Sequence, residues 1–163
     1  MRQLSSCNPL VTIITPTYNR AYCIDRAIAS VIGQTFTDWE LIIVDNNSTD
    51  NTEEVIKKFN DHRISVAKIV NNGIIAKSRN FGVKLAKGHF IAFLDSDDWW
   101  APKKLEFALK QLDLGSDFVY HDLYQVSKKS LGAKKQRKIV SRVLSAPVFE
   151  DLLSNGNTIW NSS

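Results

Sequence analysis

Short apolar runs and helix-spaced apolar stripes alternate along most of this chain. Leu10 to Thr15 is an apolar, β-branched run that stops at Pro16, the pattern of a buried strand. Ile24, Ala27, Ile28, Val31 and Ile32 then recur at helical spacing, with Gly33 as the stop. Trp39 to Val44 is a second strand, ending at Asp45, and Asn46-Asn47-Ser48-Thr49-Asp50 carries loop and helix-cap chemistry. Val55, Ile56 and Phe59 mark a second helix. Arg63 to Val70 alternates imperfectly, which predicts a weaker, edge strand. Asn71-Asn72-Gly73 is a turn, and Ile75 to Lys87 is helical through Ala76, Phe81, Val83, Leu85 and Ala86. After Gly88 come a strand from Phe90 to Leu94 and a helix from about Pro102 to Leu112, proline suiting a first helical turn.

The order is β-α-β-α-β-α-β-α. It predicts an α/β fold, a Rossmann-like, mostly parallel sheet with helices on both faces. Ligands of such sheets bind outside the carboxyl ends of the strands. Three of these ends are polar: Thr15 to Arg20, Asp45 to Ser48 and Asp95 to Asp98. After Asp117 the pattern weakens. Phe118 to Val126 has the content of one or two short strands, Ser127 to Lys138 is a basic polar loop, Ile139 to Leu144 a strand and Val148 to Leu153 a short helix.

Composition adds little until charge is placed. The 163 residues suit one domain, 44% hydrophobic and 23% charged. Cys7 and Cys23 match no metal or redox spacing. No apolar run reaches membrane-spanning length and the start has no signal-peptide core, so a cytoplasmic location is expected. The net charge of +4 is local. Lys128, Lys129, Lys134, Lys135, Arg137, Lys138 and Arg142 supply seven of the 21 basic residues; the rest of the chain has 14 against 17 acidic ones. That argues against a nucleic-acid surface. The basic loop, 128–142, is either a solvated segment or a peripheral contact with an anionic inner membrane face.

The sharpest chemistry lies at Asp95-Ser96-Asp97-Asp98, where an apolar strand runs into three carboxylates. Were the chain extended there, Asp95 and Asp97 would face one crevice, and oxygen ligands of this kind suit Mg2+, Mn2+ or Ca2+. The alternative is a polar turn facing water. Asp45 sits where dinucleotide folds place a ribose-binding acid, but the turn after the first strand has no glycine, which excludes the NAD fingerprint. As an acceptor-only group Asp45 suits the N3–H of uracil and not cytosine, with Tyr18 or Pro16 against the base; equally it suits a cap on the next helix. Lys77 and Arg79 lie early in the third helix, where a cation does not complement the helix dipole, so either a bound phosphate or plain exposure explains them. Trp99 and Trp100 suit either packing or stacking on a sugar. No histidine has a ligand spacing or an evident nucleophile partner.

Taken in order, Val11 to Arg20, Ile43 to Asp50, Asn72-Gly73, Ala76, Ser78-Arg79-Asn80 and Ala92 to Asp98 resemble the family 2 inverting glycosyltransferases of the GT-A fold. The resemblance covers about the first 110 residues. It implies a nucleotide-sugar donor, often UDP-linked, and a saccharide or lipid-linked acceptor. It puts Thr15, Pro16, Thr17, Tyr18 and Asp45 around the base, Asp95 near the ribose and Arg79 near the nucleotide. Asp97 would hold Mn2+ or Mg2+ against the diphosphate. In the family an inverting base follows the acceptor-side strands; it is expected beyond Ser163, so the chain reads as truncated at the C-terminus. Residues 1–126 are then the donor-binding region, and 127–163 the basic loop and start of the acceptor side of the same domain. Two competing readings are a metal-dependent phosphotransferase or phosphatase with Asp95 as nucleophile, and a non-catalytic nucleotide-sugar-binding module.

Overall fold

A computed structural model of the chain describes residues 8–126 and 136–141. They belong to two compact units, one ending at Leu109 and one beginning at Lys110. The first unit holds a parallel sheet of β1 (Val11–Thr17), β2 (Trp39–Asp45), β3 (Ile64–Lys68) and β4 (Phe90–Phe93), in the order β3-β2-β1-β4. Between the strands run α1 (Ile24–Ile32), α2 (Thr52–Lys57) and α3 (Ile75–Leu85), and α4 (Lys104–Asp113) follows β4. In the second unit β5 (Leu123–Val126) and β6 (Gln136–Ile139) pair antiparallel.

Register explains the two layers. Val11 pairs with Trp39, Ile13 with Leu41 and Thr15 with Ile43, so these side chains share one face. They pack against Ile24, Ala27, Ile28 and Val31 of α1, Ile56 of α2 and Leu105 of α4. The other face presents Ile14, Ile42 and Val44 to Phe81 of α3. Helices therefore cover both faces, as the alternation predicts. Burying a Val or Ile fully is worth about 1.5–3 kcal/mol, and the four fully covered apolar residues of α1 anchor that helix.

Several boundaries differ from the sequence expectation, mostly by one or two residues. β1 continues through Pro16 to Thr17. The even-numbered residues of β1 face β4, since Phe90 and Leu94 donate to the carbonyls of Leu10 and Ile14. β4 pairing ends at Phe93 opposite Ile14, so the amide that Pro16 lacks has no partner to lose. β4 itself stops one residue early, at Phe93. α2 ends at Lys57, yet Phe59 still packs on the core. β6 occupies Gln136–Ile139, so the end of the expected basic loop is strand and the strand expected from Ile139 starts earlier. Lys138 there pairs with Asp122 at 2.8 Å and is not a loose loop cation. Residues 127–135 and 142–144, and the helix expected over Val148 to Leu153, lie outside the described residues.

Gly82 lets α3 lie close to the sheet. A Cβ there would come within 2.5 Å of Ile14 Cγ2 and 3.2 Å of Val44 Cγ2. Gly82→Ala should lower the unfolding free energy by about 1–3 kcal/mol in urea titrations despite alanine's better helix propensity, because overpacking outweighs it.

Lys104 opens α4 with its ammonium over the Trp100 ring, 5.5 Å from the centroid. Burial lowers its pKa to about 8. Between that value and its ordinary 10.5 the unfolded chain holds a proton that the folded chain has lost. Stability should therefore rise with pH across that window. Lys104→Met should remove this rise, read as the difference between wild-type and variant urea midpoints at successive pH values.

Candidate functional site

The site begins with the loops at the carboxyl ends of β1, β2 and β3, which are tied together by short polar side chains. Asn19 takes a left-handed conformation, φ 51°, one that asparagine tolerates. Its backbone N–H donates to Ser48 Oγ at 2.9 Å, and its Oδ1 accepts from the Thr49 N–H at 2.8 Å. The Arg20 N–H donates to Thr52 Oγ1 at 2.9 Å and the Ala21 N–H to Asp50 Oδ2 at 3.1 Å. On the other side Asn46 Oδ1 accepts from the Asn71 N–H at 2.7 Å, and Asn71 Nδ2 donates to Ser78 Oγ of α3 at 2.8 Å. These asparagines, serines and threonines are functional scaffolding that reads in the sequence only as generic loop composition.

Within this frame Thr15, Thr17 and Asp45 come together. Thr17 pairs with Asp45 across β1 and β2, so all three side chains share the sheet face covered by α1. All are buried. Asp45 does not cap α2, whose N-cap is Asn51. Its Oδ1 instead accepts from the Ser48 N–H at 3.1 Å and from the Ser48 hydroxyl. That fixes the carboxylate through one of its two oxygens. The Thr15 and Thr17 hydroxyls are buried without a partner among the described residues. Each such group costs about 1–3 kcal/mol, a cost a polar ligand can offset. Pro16, one residue out of phase, faces the α3 side, and Tyr18 stands half-exposed at the rim. The expected base-contacting set is thus divided between two faces.

Asp95 and Asp97 meet different partners, although the negative charge of Asp97 is still felt at Asp95. The chain leaves the extended state after Phe93 and turns at Ser96–Asp97, closed by the Asp98 N–H donating to the Asp95 carbonyl at 3.1 Å. Asp95 keeps the phase of Phe93 and meets α3, where Arg79 Nη2 donates to its two oxygens at 2.7 and 3.0 Å. Burial pushes the Asp95 carboxyl above its ordinary value, and the Arg79 pair offsets this only in part. Asp97 points towards the β1 loop, its Oδ2 3.9 Å from Arg20 Nε, with about a third of its side chain exposed. Lys77, by contrast, is exposed.

A row of residues at α1 meets the same segment. Cys23 Sγ lies 3.6 Å from the Ser96 carbonyl, and Arg26 Nη2 donates to the Asp97 carbonyl at 2.6 Å. Ser30 Oγ accepts from the Trp100 N–H at 3.1 Å. Gln34 Nε2 donates to the Ala101 carbonyl at 2.8 Å, and its Oε1 accepts from the Leu105 N–H at 3.0 Å. The spacings of three, four and four place these residues on one stripe beside the apolar one. Arg26 also stacks on Trp99, 3.8 Å from the ring centroid, while Trp100 packs on the core. No residue of this row stands out in the sequence, because polar positions beside an apolar helical stripe look like ordinary solvent-facing ones.

Among the described residues no three His, Cys, Asp or Glu side chains converge on a metal position. A nucleotide-bound Mg2+ or Mn2+ needs only one or two protein carboxylates, the phosphates and water supplying the rest. An accessible, acceptor-only Asp97 fits that demand.

Comparison with known proteins gives the family. The glycosyl transferase family 2 profile matches residues 12–159, and the chain belongs to that family. It is 39% identical over 126 residues to WfgD of Escherichia coli, a UDP-Glc:alpha-D-GlcNAc-diphosphoundecaprenol beta-1,3-glucosyltransferase, covering 77% of this chain and 50% of that protein. The crystal structure of S. aureus TarS 1-349 in complex with UDP-GlcNAc superposes with a TM-score of 0.61 at 33% identity, over 64% of this chain and 31% of that one. The mannosyltransferase PcManGT from Pyrobaculum calidifontis, in complex with GDP-Man and Mn2+, superposes at 0.60 with 26% identity, over 72% and 35%. The sheet is therefore of the GT-A kind, and the chain spans about half the length of the curated relatives it matches. No helix among the described residues is long and apolar enough to cross a membrane.

The Arg79–Asp95 pair generates a stability prediction. Arg79→Ala leaves a buried carboxylate unpaired and should cost about 3 kcal/mol in urea unfolding. Asp95→Asn in the same background should recover part of that loss.

Proposed function

We propose that this chain binds the donor in a transferase that moves a sugar from a nucleoside-diphosphate sugar, UDP-linked, to an acceptor hydroxyl with inversion. The setting is polysaccharide or glycoconjugate synthesis on a saccharide or lipid-linked acceptor. The observation that carries the reading is Asp45: a buried, acceptor-only carboxylate held by Ser48 through one oxygen, beside two unpartnered threonine hydroxyls. It accepts the N3–H of uracil through the other oxygen, and would meet a bare acceptor on cytosine. Asp45 ends β2 and Asp95 follows β4, the two strands that flank β1, so both acids stand at the same edge of the sheet, one for the base and one for the ribose. Tyr18, at the rim, covers the base, and Arg79 orients Asp95 toward the ribose. Asp97 would hold Mn2+ or Mg2+ on the diphosphate, which supplies positive charge where negative charge gathers as the sugar leaves.

Two features support this reading beyond the pocket itself. WfgD is named for a UDP-glucose donor and a lipid-linked acceptor, and TarS 1-349 is known with UDP-GlcNAc. Asp95 is a poor candidate for the nucleophile of a phosphotransferase, being buried with both oxygens engaged by Arg79.

Calorimetry with UDP, with and without Mn2+, tests the proposal. UDP should bind, and Mn2+ should tighten binding at least about tenfold, roughly one good charge interaction. Asp97→Asn should abolish the Mn2+ effect while leaving metal-free binding within about twofold. Asp45→Asn should narrow the preference for UDP over CDP, since an amide offers a donor as well as an acceptor. Failure of folded wild-type protein to bind UDP under either condition would sink the reading.

A further inference from the structure

We propose that Arg26 is a positioning residue for Asp97: it fixes the peptide that carries the metal-facing carboxylate, and so sets how strongly that carboxylate engages a divalent cation. The inference rests on the donor-site reading above.

The turn at Ser96–Asp97 lies past the end of the sheet pairing, and the Cys23 thiol and Arg26 of the α1 row each meet one of its carbonyls. β4 pairing ends at Phe93, and the backbone bond that closes the turn runs from the Asp98 N–H to the Asp95 carbonyl. The Asp97 side chain is not pinned either, since its contact with Arg20 is 3.9 Å long and solvent-facing. Its direction therefore depends on what holds its own peptide. Two groups hold that peptide: its N–H, that of Asp98, donates to the Asp95 carbonyl, and its carbonyl, that of Asp97, is met from outside the turn by Arg26 Nη2 at 2.6 Å while the guanidinium plane lies on Trp99 at 3.8 Å. One planar group thus grips two residues that bracket Asp98, fixing both position and rotation of the turn. A guanidinium can do this because its donors lie in the plane and its face remains free to stack.

The neighbouring contacts of the α1 row differ in kind. Those of Cys23, Ser30 and Gln34 are buried or half-buried and serve the packing of the 96–105 segment against α1. The Arg26 contact is at the surface. Exposed polar contacts contribute little to global stability, so Arg26 can be changed without unfolding the protein. Its effect is local to the metal-facing turn.

The test uses the full chain as Arg26→Gln, Arg26→Lys, Trp99→Ala and Trp99→Phe, with two readouts. In the ligand-free protein, amide hydrogen exchange over residues 96–101 should speed up about tenfold in Arg26→Gln and in Trp99→Ala, as loss of one charge-assisted bond implies. In UDP calorimetry the Mn2+ concentration for half-maximal effect should rise by about the same factor, with metal-free UDP affinity changed by less than about twofold. Trp99→Phe keeps an aromatic face and should stay near wild type. Arg26→Lys keeps the charge but not the planar grip, and should resemble Arg26→Gln more than wild type. Full rescue by lysine, or an equal loss of metal-free and metal-dependent binding, would show a general cation effect and overturn the inference. Unchanged exchange and unchanged Mn2+ dependence in Arg26→Gln, with wild type binding UDP normally, would overturn it alone. Absence of UDP binding in wild type would instead remove the donor-site reading, and this role with it.

Discussion

A strand buried on both faces and paired along both edges has no freedom left, and β1 is that strand. Its seven residues are all buried, it is paired with β2 along its whole length, and with β4 as far as Ile14. Three consequences for the upper edge of the sheet follow from that register. Thr17 lies opposite Asp45, Pro16 is admitted because β4 has already ended, and Leu94 is drawn to the Ile14 carbonyl so that Asp95 emerges on the α3 side. A slip of one residue would exchange the faces and send every one of these groups the wrong way.

The polar rim above this sheet is rigid for a different reason. Exposed loops ordinarily satisfy their backbone with water, but here amide and hydroxyl side chains close the loops on one another. Asn19, Asn46, Asn71 and Asp50 each bridge two segments. Such a network costs little in water, since each group exchanges one hydrogen bond for another, and it leaves selected acceptors pre-aimed. Asp45 is one of them. Asp95 is the opposite case: its burial raises its pKa, and Arg79 keeps it tolerable as an ion.

The α/β architecture and the succession of elements along the chain were legible because buried parallel strands read as short apolar runs and amphipathic helices as stripes. β3 at the edge was legible too, in the imperfect alternation of Arg63 to Val70. What escaped depended on partners distant in the chain. Pro16 looks like a terminator until the neighbour it would have bonded is known to stop at Phe93. Asp95 and Asp97 look equivalent while the chain is taken as extended; the turn between them gives them different partners, on α3 and on the β1 loop. Asp45 was visible as a residue of interest, but its partner Ser48 was not, because an acid before a helix looks like a cap. Arg26 carried no signal, since its partner is a backbone carbonyl 71 residues away.

The row formed by Cys23, Arg26, Ser30 and Gln34 also acts as a measuring stick. Its members meet Ser96, Asp97, Trp100 and Ala101 in the same order, so the two segments run in step. Each helical residue turns the chain by about 100°. One residue inserted into or deleted from α1 would rotate part of the row away from the turn while the apolar stripe beside it also lost its face. Helix length here is therefore a fixed dimension. Over evolutionary time, insertions in this region of the chain should collect outside α1 rather than within it.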